Sequence, residues 1–232
     1  MTATRSGDSP TENTGRRLKI VVTGGHPGDP EYGCGGTIAR YAQAGHEVVL
    51  FYLNNGEVAD PEGLRSHLRG VRTAEARKAC EILGARPLFA PQIDGDSIVD
   101  AARCAEYRAL LAAQKPDLVF THWPIDNHPD HRANWMLVYD AWVRMERRFG
   151  LFYYEVSSGE DTLMFSPTHA VDIGDVEPLK RSACYAHATQ SPDRYYDVQK
   201  RITSFRAVEH GLHHAEAFTR QSPGGIELPL AL

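Results

Sequence analysis

The sequence has only four cysteines, Cys34, Cys80, Cys104 and Cys184, and none of them forms a C-x-x-C pair. They sit far apart, and a chain of 232 residues can bury a core without disulfide staples. The thiols are read as reduced, in a cytoplasmic protein. Long runs of Lys or Arg are also missing and the formal net charge is −5, so there is no electrostatic footprint for nucleic acid. No window approaches the roughly 20 apolar residues that span a bilayer, and no internal repeat is present. The opening MTATRSGDSPTENTGRR lacks the apolar stretch of a signal peptide or anchor, and its composition predicts a disordered tail. These absences leave a single domain over 17–220, tails at 1–16 and 221–232, and a small molecule as partner. They are compatible with a homo-oligomer.

Hydrophobic patterning supplies the architecture. LKIVVT (18–23) and EVVLFYL (47–53) are apolar runs typical of strands buried on both faces, and PLFA (87–90) and PDLVFTHW (116–123) add two more. Between them, helices are expected at 37–45 with Gly45 as its cap, 69–85 stopped by Gly84, and 100–114. The alternation predicts an α/β fold of three layers, Rossmann-like, with a mainly parallel sheet, because parallel neighbours need helical crossovers.

In such sheets ligands bind beyond the carboxyl ends of the strands. Two loops there carry unusual residues. VTGGHPGDPEYGCGGTIARY places His26, Asp29 and Glu31 after the first strand, and a polar loop of Asn54, Asn55, Gly56 and Glu57 follows the second. THWPIDNHPDHRAN gathers His122, Asp126, His128, Asp130 and His131 after the fourth strand, just before a helix expected from Arg132. His26 and Asp29 are three apart in a turn that Pro27 and Gly28 can tighten, so with His131 they form a two-histidine, one-carboxylate metal set. Three protein ligands leave a position open, which is the catalytic rather than the structural pattern. The plainer alternative is a solvated His-Pro loop, and an HPDH that only caps a helix through Asp130. GCGGT has no following Lys-Ser/Thr and is not a phosphate loop.

HPGDPEYGCGGTIA and DNHPDHRA resemble the H-P-D-D-E and D-x-H-x-D-H signatures of the LmbE-like, or PIG-L, metal-dependent N-deacetylases. RTAEARKACEILGA (72–85), HATQ (187–190) and AEAF (215–218) resemble three further elements of that family, in order. The resemblance implies an amide hydrolase acting on an N-acyl amino sugar or related glycoside. His26, Asp29 and His131 would hold zinc or ferrous iron. His128 would stabilise the oxyanion and protonate the leaving amine, with Asp130 holding its ring. Arg72, Asp94 and His187 would meet substrate. A metal that lowers the pKa of water and a histidine that meets the developing charge agree with this reading.

One residue departs from the pattern. The family carries an aspartate, the general base, where this chain has Gly28. Three explanations stand: hydrolysis is disabled while ligand binding survives; Glu31 or Asp126 supplies the base; or the metal serves other chemistry, as in a lyase, an isomerase or a ferrous enzyme.

Overall fold

The computed structural model describes residues 16–60, 63–156 and 164–221; the outer parts of both expected tails lie outside the described residues. The chain runs β1 (Lys19–Gly24), α1 (Asp29–Gln43), β2 (Glu47–Asp60), β3 (Gly63–Arg65), α2 (His67–Leu83), β4 (Arg86–Asp94), α3 (Ala101–Gln114), β5 (Leu118–His122) and α4 (Pro129–Arg144). It continues through β6 (Gly150–Tyr154), β7 (His169–Asp172), α5 (Glu177–Ala186), α6 (Pro192–Ala207) and β8 (Ala215–Arg220).

Five strands lie parallel in the order β4-β2-β1-β5-β6, and β8 and β7 extend the β6 edge antiparallel. The apolar runs alternate between two cores, as the pleat requires. Ile20, Val22, Val48, Leu50 and Tyr52 pack with α1, α2 and α5 on one face. Val21, Val49, Phe51 and Leu53 pack with Tyr107 and Leu111 of α3 and Leu137 and Trp142 of α4 on the other. These are the three layers expected. Chain order reverses between β1 and β5, so the switch point lies between their carboxyl ends, where the two singled-out segments meet.

Three boundaries differ from expectation. Helix α1 begins at Asp29 rather than residue 37, so only residues 25–28 separate it from β1. Pro30 in its first turn and the acids Asp29 and Glu31 at its positive end favour this early start. Its glycines do not break it, because they are where other elements touch. A Cβ on Gly33 would lie 2.4 Å from Tyr154, one on Gly35 2.8 Å from Lys180, and one on Gly36 2.4 Å from Ile173. Glu216 of β8 inserts beside them, accepting the N–H groups of Gly36 (2.9 Å) and Thr37 (2.7 Å), while Lys180 pairs with it at 2.7 Å. Second, the polar loop at 54–57 is part of β2, which stays paired with β4 through two register shifts. Third, α4 starts at Pro129, with His128 rather than Asp130 as its N-cap.

Candidate metal centre

The turn after β1 is held from several sides. The Gly25 N–H donates to His122 Nε2 at the end of β5 (2.9 Å), and the His26 N–H donates to Asp29 Oδ2 (2.8 Å). Neither glycine has room for a side chain, since a Cβ on Gly24 would meet Pro30 at 2.6 Å and one on Gly25 would meet His131 at 3.0 Å. The two signatures are thus packed directly together.

Asp29 Oδ2 is the hub. It lies 3.2 Å from His26 Nδ1, 3.2 Å from His131 Nε2 and 3.3 Å from His122 Nε2. Zinc bonds of about 2.0–2.2 Å at tetrahedral angles place donor atoms roughly 3.3–3.6 Å apart, and the spacings of Asp29 Oδ2 to each histidine nitrogen lie close to that range. Among the described residues, ligand atoms within 4.8 Å of one another occur in the triplets His26/His128/His131, Asp29/His122/His131 and His26/Asp94/Asp130. The expected trio divides between the first two, with His131 common to both. His122 is set apart by its partner: the lone pair of Nε2 already accepts the Gly25 N–H, so the ring positions the turn.

Electrostatics follow from burial against pairing. Burial lowers the pKa of His131, but Asp29 and Asp126 outweigh it and push it up to about 9. Burial and the neighbouring His131 charge take His122 down to about 4, so that ring is neutral. Burial would raise Asp29, yet His131 and His26 hold it well below the usual carboxylate range. Asp130 likewise stays ionised against burial, through His26 and the Gly95 N–H.

Carboxylates orient the rings. Asp126 Oδ2 stands 3.0 Å from His131 Nδ1 while its Oδ1 accepts the His128 N–H (2.8 Å), the arrangement that fixes a metal-binding imidazole from behind. Asp130 differs from expectation. Its carboxylate meets His26 Nε2 (3.0 Å) and the Gly95 N–H (2.7 Å), and it holds His128 only through its backbone N–H, donated to His128 Nδ1 (3.2 Å). With Nδ1 an acceptor, neutral His128 carries its proton on Nε2. Its pKa is lowered by burial and by the charges of His26 and His131.

His26, Gly28, Asp29, Arg72, Asp94, His128 and His131 line one cavity of about 250 Å³. Arg72 donates to Asp94 (2.7 Å) and to the Pro27 carbonyl (3.2 Å), fixing part of that wall. Glu31 and His187 are not in that wall: both are fully buried behind it, joined at 2.9 Å. Glu57 faces a separate cavity with Arg69 and Arg77. Tyr32, Gln190, Tyr195 and Gln199 also line the main cavity and carried no signal in the sequence beyond the HATQ element. His122 was visible in its cluster, but its role needed the Gly25 contact.

A family profile described as PIG-L, GlcNAc-PI de-N-acetylase, matches residues 21–142, which include both signatures and the α2 arginine. The chain belongs to the PIG-L family. Within it, the chain is 27% identical over 208 residues to a diacetylchitobiose deacetylase of Thermococcus kodakarensis, covering 83% of this chain and 78% of that protein. It is 37% identical over 143 residues, 49% of this chain and 50% of the relative, to a 1D-myo-inositol 2-acetamido-2-deoxy-alpha-D-glucopyranoside deacetylase of Actinosynnema mirum. The likeness in fold extends beyond the profile: the solved structure of the 4-carboxy-2-hydroxymuconate hydratase GalB from Pseudomonas putida superposes with a TM-score of 0.79 over 91% of this chain and all of that one, at 21% identity. Among the described residues no helix is long and apolar enough to cross a membrane.

Proposed function

We propose that the protein is a zinc-dependent N-deacetylase acting on an N-acyl amino sugar or a related glycosidic natural-product intermediate. The observation that carries this reading is the meeting of His26 and His131 on Asp29 Oδ2 inside a cavity, in a family whose named relatives remove N-acetyl groups from amino sugars. His26, Asp29 and His131 would hold the cation, and the same donor set also suits ferrous iron. A divalent cation there supplies Lewis-acid polarisation of a carbonyl and makes water more acidic.

The remaining steps belong to the chain's own side chains. His128, neutral with its proton on Nε2, donates a hydrogen bond to the oxyanion that forms when the acyl carbonyl is attacked. Arg72 and Asp94, locked to each other at 2.7 Å, present one guanidinium and one carboxylate to sugar hydroxyls. Four free cysteines support a reducing, cytoplasmic setting. Incubating the zinc-loaded protein with N,N′-diacetylchitobiose and related N-acetylglucosaminides should release acetate and primary amine in equal amounts; no release from any of them would overturn the reading.

Gly28 favours a second reading, in which the same Lewis acid serves a lyase or isomerase. Consumption of an unsaturated or oxo-acid substrate without acetate would select it, and tight sugar binding without turnover would mark a disabled, ligand-binding member.

A further inference from the structure

Part of the cavity wall is apolar. Gly28, Tyr32, Val156 and Tyr195 line it alongside the candidate metal ligands. Gly28 has a φ of +116°, a region that strains any residue with a side chain, so the bare position is built into the turn. A Cβ there would touch the Tyr32 ring at 3.6 Å, and without one that ring edge is left uncovered. Tyr32 follows Asp29 by three residues on α1, which puts the ring one helical turn from a candidate ligand on the same helix face. It is held in a buried cluster with Cys184 and Tyr196, against which Val156 packs. The strip continues on α6. Tyr195 meets Tyr32 edge to face, with centroids 6.4 Å apart, and keeps 40% of its surface exposed although its ring carries the Arg194 guanidinium 5.5 Å from the centroid. Gln199, one turn along α6 from Tyr195, adds an amide beside the strip.

We propose that this strip is an acyl subsite, which takes the hydrocarbon part of an N-acyl group larger than acetyl, an aryl ring or a short alkyl chain; this rests on the deacetylase reading. An acyl carbonyl at the cation carries two substituents, the amino sugar and the acyl tail. Sugar hydroxyls pair with the guanidinium of Arg72 and the carboxylate of Asp94, and the tail is left for the aromatic surface that begins one turn from Asp29. A methyl bonded directly to the acyl carbon ends beside the cation and leaves Tyr195 in water. A ring or a longer chain covers Tyr32 and reaches Tyr195, removing apolar surface on both sides from solvent.

The test reads binding and turnover in parallel. Zinc-loaded wild type, Tyr195→Ala and Tyr195→Phe are titrated with acetohydroxamate and benzohydroxamate, which share one metal-binding head and differ only in the tail. Wild type should bind benzohydroxamate about tenfold or more tighter than acetohydroxamate. Tyr195→Phe should keep that preference, because the ring and not the hydroxyl makes the contact, and Tyr195→Ala should lower it about 3 to 10-fold. The ratio of kcat/KM for N-benzoylglucosamine over N-acetylglucosamine should fall in the same variant. Equal affinities in wild type, no binding of either hydroxamate, or a preference that survives intact in folded, zinc-loaded Tyr195→Ala would overturn the acyl subsite. Hydrolysis of both glucosaminides without any preference would do the same and leave the deacetylase reading standing. A hydroxamate preference carried by Tyr195 in a protein that hydrolyses neither glucosaminide would uphold the apolar subsite and strike the deacetylase reading.

Discussion

At His131 one imidazole is shared between two acids of different purpose. Asp29 approaches Nε2, the nitrogen proposed to bind the cation, and Asp126 stands 3.0 Å from Nδ1 on the other side of the ring. Asp126 is therefore fully engaged, with one oxygen on His131 and the other on the His128 N–H, and is a poor substitute base. Asp126→Ala should weaken zinc binding about 10 to 100-fold, the usual cost of removing an orienting carboxylate. Competition titration against a chromophoric chelator measures this. A variant with unchanged affinity and a collapsed kcat would instead give Asp126 the role of base. The residue types of this site were legible in HPGD and DNHPDH, because clustered histidines and acids at strand ends have few other uses. The pairings were not: Asp130 holds His26 rather than His128 because Gly95 at the end of β4 anchors its carboxylate, a contact 35 residues away in sequence.

Helix α1 carries the contrast between pattern and packing. Ile38, Tyr41 and Gly45 announced its second half, whereas Gly33, Gly35 and Gly36 disguised its first, since glycine disfavours helices in isolation. Tertiary contact reverses that preference. Gly36→Ala places a methyl 2.4 Å from Ile173 and should cost about 1–3 kcal/mol of stability. Gly70, inside α2 with open space around it, predicts the opposite sign: Gly70→Ala should add about 0.5–1 kcal/mol. Denaturant melts of the two variants check both numbers, and a stable Gly36→Ala would contradict the packing account of the glycine cluster. Elements α2 and α3 were legible through periodicity and caps, with Gly84 left-handed at φ +74° and Asp100 accepting the Arg103 N–H at 2.7 Å. In the last third the short strands β6, β7 and β8 offered no comparable period, and the cavity residues Gln190, Tyr195 and Gln199 lie on or next to α6, whose sequence is strongly polar.

Across the whole molecule, the sheet order brings the ends of β1 and β5 together, and the cavity opens at that switch point. A cation gripped there links two segments about a hundred residues apart, so its binding should stabilise the fold as a unit. With zinc at 100 times its Kd the gain is about 2.7 kcal/mol, which corresponds to a rise of roughly 5–10 °C in Tm for a domain of this size. Thermal melts with zinc and with chelator compare the two states; coincident curves would deny the link. The most direct test is metal analysis of protein purified without chelator. About one equivalent of divalent metal per chain is expected, falling toward zero in both His26→Ala and His131→Ala, because a three-ligand site cannot spare one. A metal-free wild type, or a full equivalent retained in either variant, would contradict the assignment of His26, Asp29 and His131 as the metal site.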